Sequence, residues 1–305
     1  MPELPEVETI RKGLQARVVG KTIRVAEGEG GRLTRNNPGG AEQVRSALAG
    51  SKIISVERRG KFMWWVLDGP EDSLVVHLGM SGQVRTSSAD PELTNEESFQ
   101  KGPELGRHEH LRLTLDDGSQ VHFIDPRMFG QLTLSTLVKD AMGRLIPSSA
   151  AHIAPDVLEL ETDHAVDQLV KQFKSRNRFV KTMLLDQQIV SGIGNIYADE
   201  ALFASGIQGA RQAAKLPLPK LRTLIQECRS VTRRAVKVGG TSFDDLYVDV
   251  DGNPGYFERE LFVYGREDHP CRRCGTTVKR ITLQGRSHFF CPRCQPKPRA
   301  TKTPQ

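Results

Sequence analysis

The chain has 305 residues, enough for about two domains with cores of their own. With 37% apolar residues, 26% charged residues and a mean hydropathy of −0.42, it contains no run near the roughly 18 uncharged apolar residues that a bilayer span needs, which excludes a membrane-spanning helix. Glu3, Glu6 and Glu8 crowd a start that has no basic residue before Arg11, the reverse of a secretory signal, so an intracellular protein is expected.

The first predicted element is a helix. Pro5 suits its first turn, the three glutamates suit the positive end of its dipole, Val7, Ile10 and Leu14 recur at helical spacing, and Gly20 stops it. Strands follow at Ile53 to Val56, Phe62 to Leu67 and Leu74 to Leu78. Leu111 to Leu115 and Val121 to Ile124 read as a hairpin around Asp116, Asp117 and Gly118, while polar, turn-rich Thr86 to Arg107 reads as a loop. After about residue 150 the period becomes helical, over Ala165 to Phe173, Phe179 to Leu185, Ile196 to Phe203 and Leu218 to Val238. From Thr241 the chain returns to loop and strand, and after Gln295 it is a Pro- and Lys/Arg-containing tail without a core-forming pattern.

Charge is unevenly spread. Net charge is +6, yet Arg266 to Gln305 alone carries +8, with ten Lys or Arg against Glu267 and Asp268, leaving −2 on the rest, as a polyanion contact would require. In the same segment Cys271-x-x-Cys274 and Cys291-x-x-Cys294 have the spacing of a four-thiolate zinc site. Four thiolates leave no open coordination position, so the ion would be structural; two disulfides are the alternative, disfavoured in a reducing compartment. Cys228 lies in a helical pattern and reads as a buried hydrophobe.

Removal of Met1 would expose Pro2 as a secondary amine, with a reference pKa near 7.7–8.0 and therefore partly a free nucleophile at neutral pH. Such an amine attacks an aldehydic or anomeric carbon to form an iminium. Proline after an initiator Met is also commonplace, and acids in a first helical turn are ordinary.

The residues that decide between these readings are Met-Pro-Glu-Leu-Pro-Glu-Val-Glu-Thr at 1–9, Arg-Gly-Lys at 59–61, His-Leu-Gly-Met-Ser-Gly at 77–82 and Asp-Pro-Arg-Met-Phe-Gly at 125–130. Further on stand Gly-Ile-Gly-Asn-Ile-Tyr-Ala at 192–198, Gly-Tyr-Phe at 255–257, Val-Tyr-Gly-Arg at 263–266 and Gln-Gly-Arg-Ser at 284–287. In this order they resemble the formamidopyrimidine-DNA glycosylases. The resemblance implies an α+β architecture: an N-terminal helix and β-sandwich catalytic domain over 1–150, a helix-two-turns-helix domain with a lesion-recognition loop over 151–265, a zinc ribbon over 266–295 and a basic tail over 296–305. It also implies a monomer acting on damaged double-stranded DNA, with one zinc ion and no membrane, in the cytoplasm of a bacterium at its nucleoid.

By the same resemblance Pro2 is the nucleophile, Glu3 the proton donor and Glu6 an assistant in the base pocket. Lys61 is associated with β-elimination and Arg286 with δ-elimination; otherwise Lys61 is a strand cation and Arg286 a phosphate clamp. Met80, Arg127 and Phe129 correspond to side chains inserted into the duplex when the lesion is flipped out. His77, His108, Arg176 and Tyr264 match or neighbour DNA contacts, Arg176 with a register left open by Lys174, Arg178 and Lys181. Gly194 and Asn195 offer a phosphate seat at a helix start, or Asn195 is an N-cap.

The sequence departs from the pattern at Met128, where a second arginine is frequent, and at His288, where threonine is common. The acidic loop 86–107 is expected to lie away from DNA. Gly239 to Tyr256 resembles the lesion-capping loop of oxidised-purine enzymes. A sister class acting on oxidised pyrimidines, the endonucleases VIII, and a lesion-binding protein without chemistry are the alternatives.

Overall fold

The computed structural model describes residues 2–88, 106–241 and 248–297. They form two compact units: Met1–His152 with Val236–Glu258, and Ile153–Ala235 with Arg259–Gln305. The segment Val236–Glu258 thus packs with the first unit, whereas boundaries at 150 and 265 would have kept it with the helices.

In the first unit, α1 (Leu4–Val18) leads to two four-stranded antiparallel sheets. One has the order β1-β6-β7-β5 (Ile23–Glu27, Glu109–Leu115, Gln120–Ile124, Gln83–Ser87); the other has β2-β3-β4-β8 (Lys52–Arg59, Phe62–Asp68, Ser73–His77, Gln131–Ser135). Their facing residues, with Val7, Ile10 and Leu14 of α1 and Val44 and Leu48 of α2 (Gly40–Leu48), make one core, the expected β-sandwich. Period-2 alternation divides β3: Met63, Trp65 and Leu67 enter that core, while Trp64 joins Val75 and Ile146 on the opposite face. That face is covered by the hairpin β9-β10 (Leu137–Lys139, Leu145–Pro147). β1, α2, β5 and β8 to β10 had no expectation from sequence; they are short, and four of the five strands have intermediate or exposed residues at most positions. The expected loop at Thr86 begins two residues later, because Thr86 and Ser87 pair with Val121 and Gln120. The remainder of that loop from 89 to 105 lies outside the described residues, as do 242–247 of the capping segment and 298–305 of the tail.

A buried charge network fixes α1 on β2. Arg11 and Arg58 both reach the Glu8 carboxylate, at 3.0 and 2.9 Å, and Arg11 also donates to the Val56 carbonyl. Burial raises the Glu8 pKa, but the two guanidiniums outweigh it and hold the carboxyl below its ordinary value.

The second unit contains α3 (Asp163–Lys174), α4 (Val180–Leu184), α5 (Asn195–Ala204) and α6 (Leu218–Lys237), each within two residues of expectation at either end, and the hairpin β11-β12 (Lys279–Leu283, Arg286–Phe290). α5 is buried on every side from Ile196 to Phe203, including Asp199 and Glu200. Among the described residues no helix is long and apolar enough to cross a membrane.

Candidate functional site

The N-terminal segment is buried and extended through Pro2 into Glu3, the N-cap of α1. Glu3 and Glu6 form a reciprocal capping box, with the Glu3 N–H donating to Glu6 Oε2 at 2.8 Å. The other oxygen, Glu6 Oε1, accepts from the Thr241 N–H at 2.8 Å and its hydroxyl at 3.0 Å. Glu6 therefore ties the start of α1 to Thr241.

Lys61 is delivered by a two-residue hairpin turn. Arg59 pairs with Phe62, and Gly60, at φ +59°, precedes Lys61 in the pattern of a type II′ turn. The Lys61 side chain is buried. His77, one strand over, pairs with Phe62 and meets its ring at 4.6 Å. Burial first, then the charges of Lys61 and Arg35, push the His77 pKa down to about 4. The Gly79 N–H donates to its Nδ1, so a neutral ring stands beside the lysine.

Buried Asp125 organises the loops that carry Met80, Arg127 and Phe129. Oδ1 accepts from the Ser81 hydroxyl at 2.5 Å and the Arg127 N–H at 3.2 Å, Oδ2 from the Gly130 N–H at 2.7 Å, and the Asp125 N–H donates to the His108 carbonyl. The two loops touch through their backbones: a Cβ on Gly79 would lie 2.5 Å from the Phe129 carbonyl carbon. Met80 and Phe129 are left 40% and 43% exposed, large apolar side chains facing solvent, with the Arg127 guanidinium 5.0 Å from the Phe129 ring centre. Core packing is thereby excluded for both. Met128 instead packs against the sandwich core from a left-handed backbone at φ +52°. A cavity of about 340 Å³ beside Arg17, Lys21 and Ser119 contains none of these residues, and its cations are paired with Asp251 and Asp117.

In the second unit Gly194 is the N-cap of α5 and Asn195 its first helical residue, so the cap lies one position before Asn195, the cap the sequence offered. Near Arg176 the neighbouring cations are engaged: Lys174 with the Ala214 and Leu216 carbonyls, Arg178 with Asp186, Lys181 with Asp199. Tyr264 is held by Glu200, whose carboxylate accepts the N–H groups of Phe262, Val263 and Tyr264, each at 2.9 Å. Burial raises the Glu200 pKa against those three donors. Arg286 stands exposed just after the turn Gln284-Gly285, both at positive φ in a type I′ pattern.

Sγ atoms of Cys271, Cys274, Cys291 and Cys294 lie within 4.8 Å of one another, three pairs at 3.5 to 4.0 Å. A tetrahedron with Zn–S bonds of about 2.3 Å has edges of about 3.8 Å, so the cluster fits one structural zinc ion held by all four thiolates. The cysteines are unbridged, which removes the disulfide alternative. Asp125 stood in a quoted motif without a role, and Asp199 and Glu200 carried one signal only, an acidic pair inside an otherwise apolar helix.

A sandwich, a helical unit and a four-cysteine ribbon in this order define a helix-two-turns-helix protein with a zinc finger. Family models agree: the formamidopyrimidine-DNA glycosylase N-terminal domain matches residues 1–132, the formamidopyrimidine-DNA glycosylase H2TH domain 153–246, and the zinc finger found in FPG and IleRS 268–297. A formamidopyrimidine-DNA glycosylase of Rhodococcus jostii is 46% identical, covering 98% of this chain and 97% of its own. The crystal structure of the MutM (Fpg) protein of Thermus thermophilus superposes with a TM-score of 0.77 at 34% identity over 96% and 98% of the two chains. A Lactococcus lactis Fpg mutant bound to Fapy-dG-containing DNA does so with a TM-score of 0.79 at 29% identity over 97% and 100%. The chain belongs to the formamidopyrimidine-DNA glycosylase family.

Proposed function

We propose that this protein is a bifunctional DNA glycosylase and AP lyase of base excision repair that removes oxidised purines, 8-oxoguanine and formamidopyrimidines, from double-stranded DNA. The observation that carries the reading is Pro2, placed directly before the Glu3 N-cap at the positive end of α1. Once Met1 is removed, that helix end disfavours an ammonium and favours the free amine. The amine nitrogen bonds to C1′ as the glycosidic bond breaks, and the base leaves with the electron pair and a proton from Glu3. Loss of the amine proton with opening of the sugar ring leaves an iminium. Loss of the C2′ proton then expels the 3′ phosphate, and loss of the C4′ proton expels the 5′ phosphate.

Lys61 serves β-elimination and phosphate contact, and Arg286 serves δ-elimination. Met80, Phe129 and Arg127 fill the gap left by the flipped nucleotide, the apolar pair by stacking and the arginine at the orphaned base; their joint exposure supports this. His77, His108, Arg176, Tyr264 and the Gly194-Asn195 helix start contact the backbone. Arg176 is favoured over its neighbours because those are already paired. The enzyme works as a monomer in the bacterial cytoplasm at the nucleoid.

Borohydride trapping on a duplex with 8-oxoguanine opposite cytosine, followed by peptide mapping, tests the reading. An adduct on Pro2 is expected. Trapping only with an oxidised pyrimidine would move the substrate to the sister class, and no adduct even with an abasic site would leave a binding protein.

A further inference from the structure

His288 is buried in the second unit and belongs to the strand that carries Arg286. The Gly209 N–H donates to its Nε2 at 3.0 Å, so that nitrogen has no proton and Nδ1 carries it. Nδ1 lies 2.6 Å from Asp199 Oδ1 on α5. The same carboxylate accepts the Phe289 N–H through Oδ2 at 2.9 Å and pairs with Lys181 at 2.7 Å, while Lys181 Nζ donates to the Ser287 carbonyl at 2.6 Å. The Thr182 hydroxyl donates to Gln284 Oε1 in the turn at 2.7 Å. Three successive residues, Ser287 to Phe289, are thus gripped by α4 and α5.

A two-stranded hairpin is marginal alone, and β11 is exposed along nearly its whole length. The thiolate cluster secures only the end remote from the turn; Leu283 and Arg286 close the other end. Side chains two apart share a face, so His288 and Arg286 point the same way, and Arg286 opens onto a cleft with Arg178, Thr182 and Asp186.

We propose that His288 is a positioning residue for δ-elimination: by donating to Asp199 it fixes strand β12 in the register that aims Arg286. The inference rests on the role given to Arg286 above. It concerns where the guanidinium is held and adds no step to the chemistry.

The test uses the full-length zinc-loaded protein and a duplex with a single abasic site, and it reads the ratio of δ- to β-elimination products, with zinc content and borohydride trapping measured in parallel. His288→Ala is expected to lower the ratio three- to tenfold while zinc content and trapping stay within twofold of the parent. His288→Asn, whose amide reaches Asp199 as Nδ1 does, restores it; His288→Gln, which keeps volume and an acceptor toward Gly209, does not. An unchanged ratio in His288→Ala, with a lowered one in Arg286→Ala, overturns the proposal. Equal loss of every activity together with zinc in all three variants also overturns it, because the histidine would then only hold the fold. An unchanged ratio in Arg286→Ala overturns the role of Arg286 itself.

Discussion

Two hairpin turns in this molecule each present one cation to the proposed lyase chemistry, and they are secured by different physics. Lys61 follows Gly60 in a turn between β2 and β3, strands whose inward residues belong to the sandwich core. Arg286 follows Gly285 in a turn of a two-stranded ribbon with most of its first strand exposed. Hydrophobic burial at roughly 25 cal/mol per Å² secures the first. The second depends on a metal at one end and on the Asp199, Lys181 and His288 network near the other. A cation on a core sheet inherits its position from packing, whereas one on a small ribbon needs dedicated polar and metal anchors.

Zinc removal should separate the two regions most sharply. Chelation, or Cys274→Ser, is expected to melt the ribbon and weaken duplex binding at least about 100-fold, leaving the sandwich folded, since ligand binding is folding free energy in such modules. Titration of a fluorescent duplex beside near-ultraviolet circular dichroism reads both; tight binding after chelation would refute the anchor argument.

Next in size is Gly60→Val. A branched side chain at φ +59° is strained by at least about 1–2 kcal/mol and displaces Lys61. β-Elimination on an abasic duplex should slow on the order of tenfold with zinc content unchanged. Full activity would mean that the turn does not aim the lysine.

Glu6→Gln tests the tether within the first unit. An amide offers one acceptor oxygen where the carboxylate offers two, so the Glu3 N–H or the Thr241 pair loses its partner, at about 1–3 kcal/mol. Excision of 8-oxoguanine is expected to fall more than cleavage of a preformed abasic site, because Thr241 leads into the capping segment. Equal losses in single-turnover assays would make Glu6 a plain helix cap.

The smallest effect is one of pH. His77 binds its proton less readily folded, near 4, than unfolded, near 6.5, so the unfolded state takes up more protons between those values. Stability from this group is complete above pH 6.5 and is lost as pH falls through about 4. Urea midpoints from pH 7 to 4 should show a shallower decline for His77→Gln than for the parent; parallel curves would contradict the assignment.

Local pattern was sufficient wherever one segment carries its own signal. The spacing of Val7, Ile10 and Leu14, the helices of the second unit and the paired C-x-x-C turns were all legible, because helical period and ligand spacing are written within a few residues. β1, β5 and β8 were not, since short strands with few buried positions acquire their pairing from distant partners, and β9 and β10, which pair with each other, have only three residues each. The catalytic candidates stood in ordered motifs, but the motifs did not say that Glu6 spans to Thr241, that Asp125 braces both loops bearing Met80 and Phe129, or that Asp199 grips the ribbon. Chain order by itself determined the helices of the second unit, the longer strands and the zinc ligands, and it supplied the proposal that Pro2 is the nucleophile. Tertiary structure alone decided which buried carboxylates hold them in place, for a carboxylate's partners lie up to 235 residues away and its burial exists only once the chain has folded.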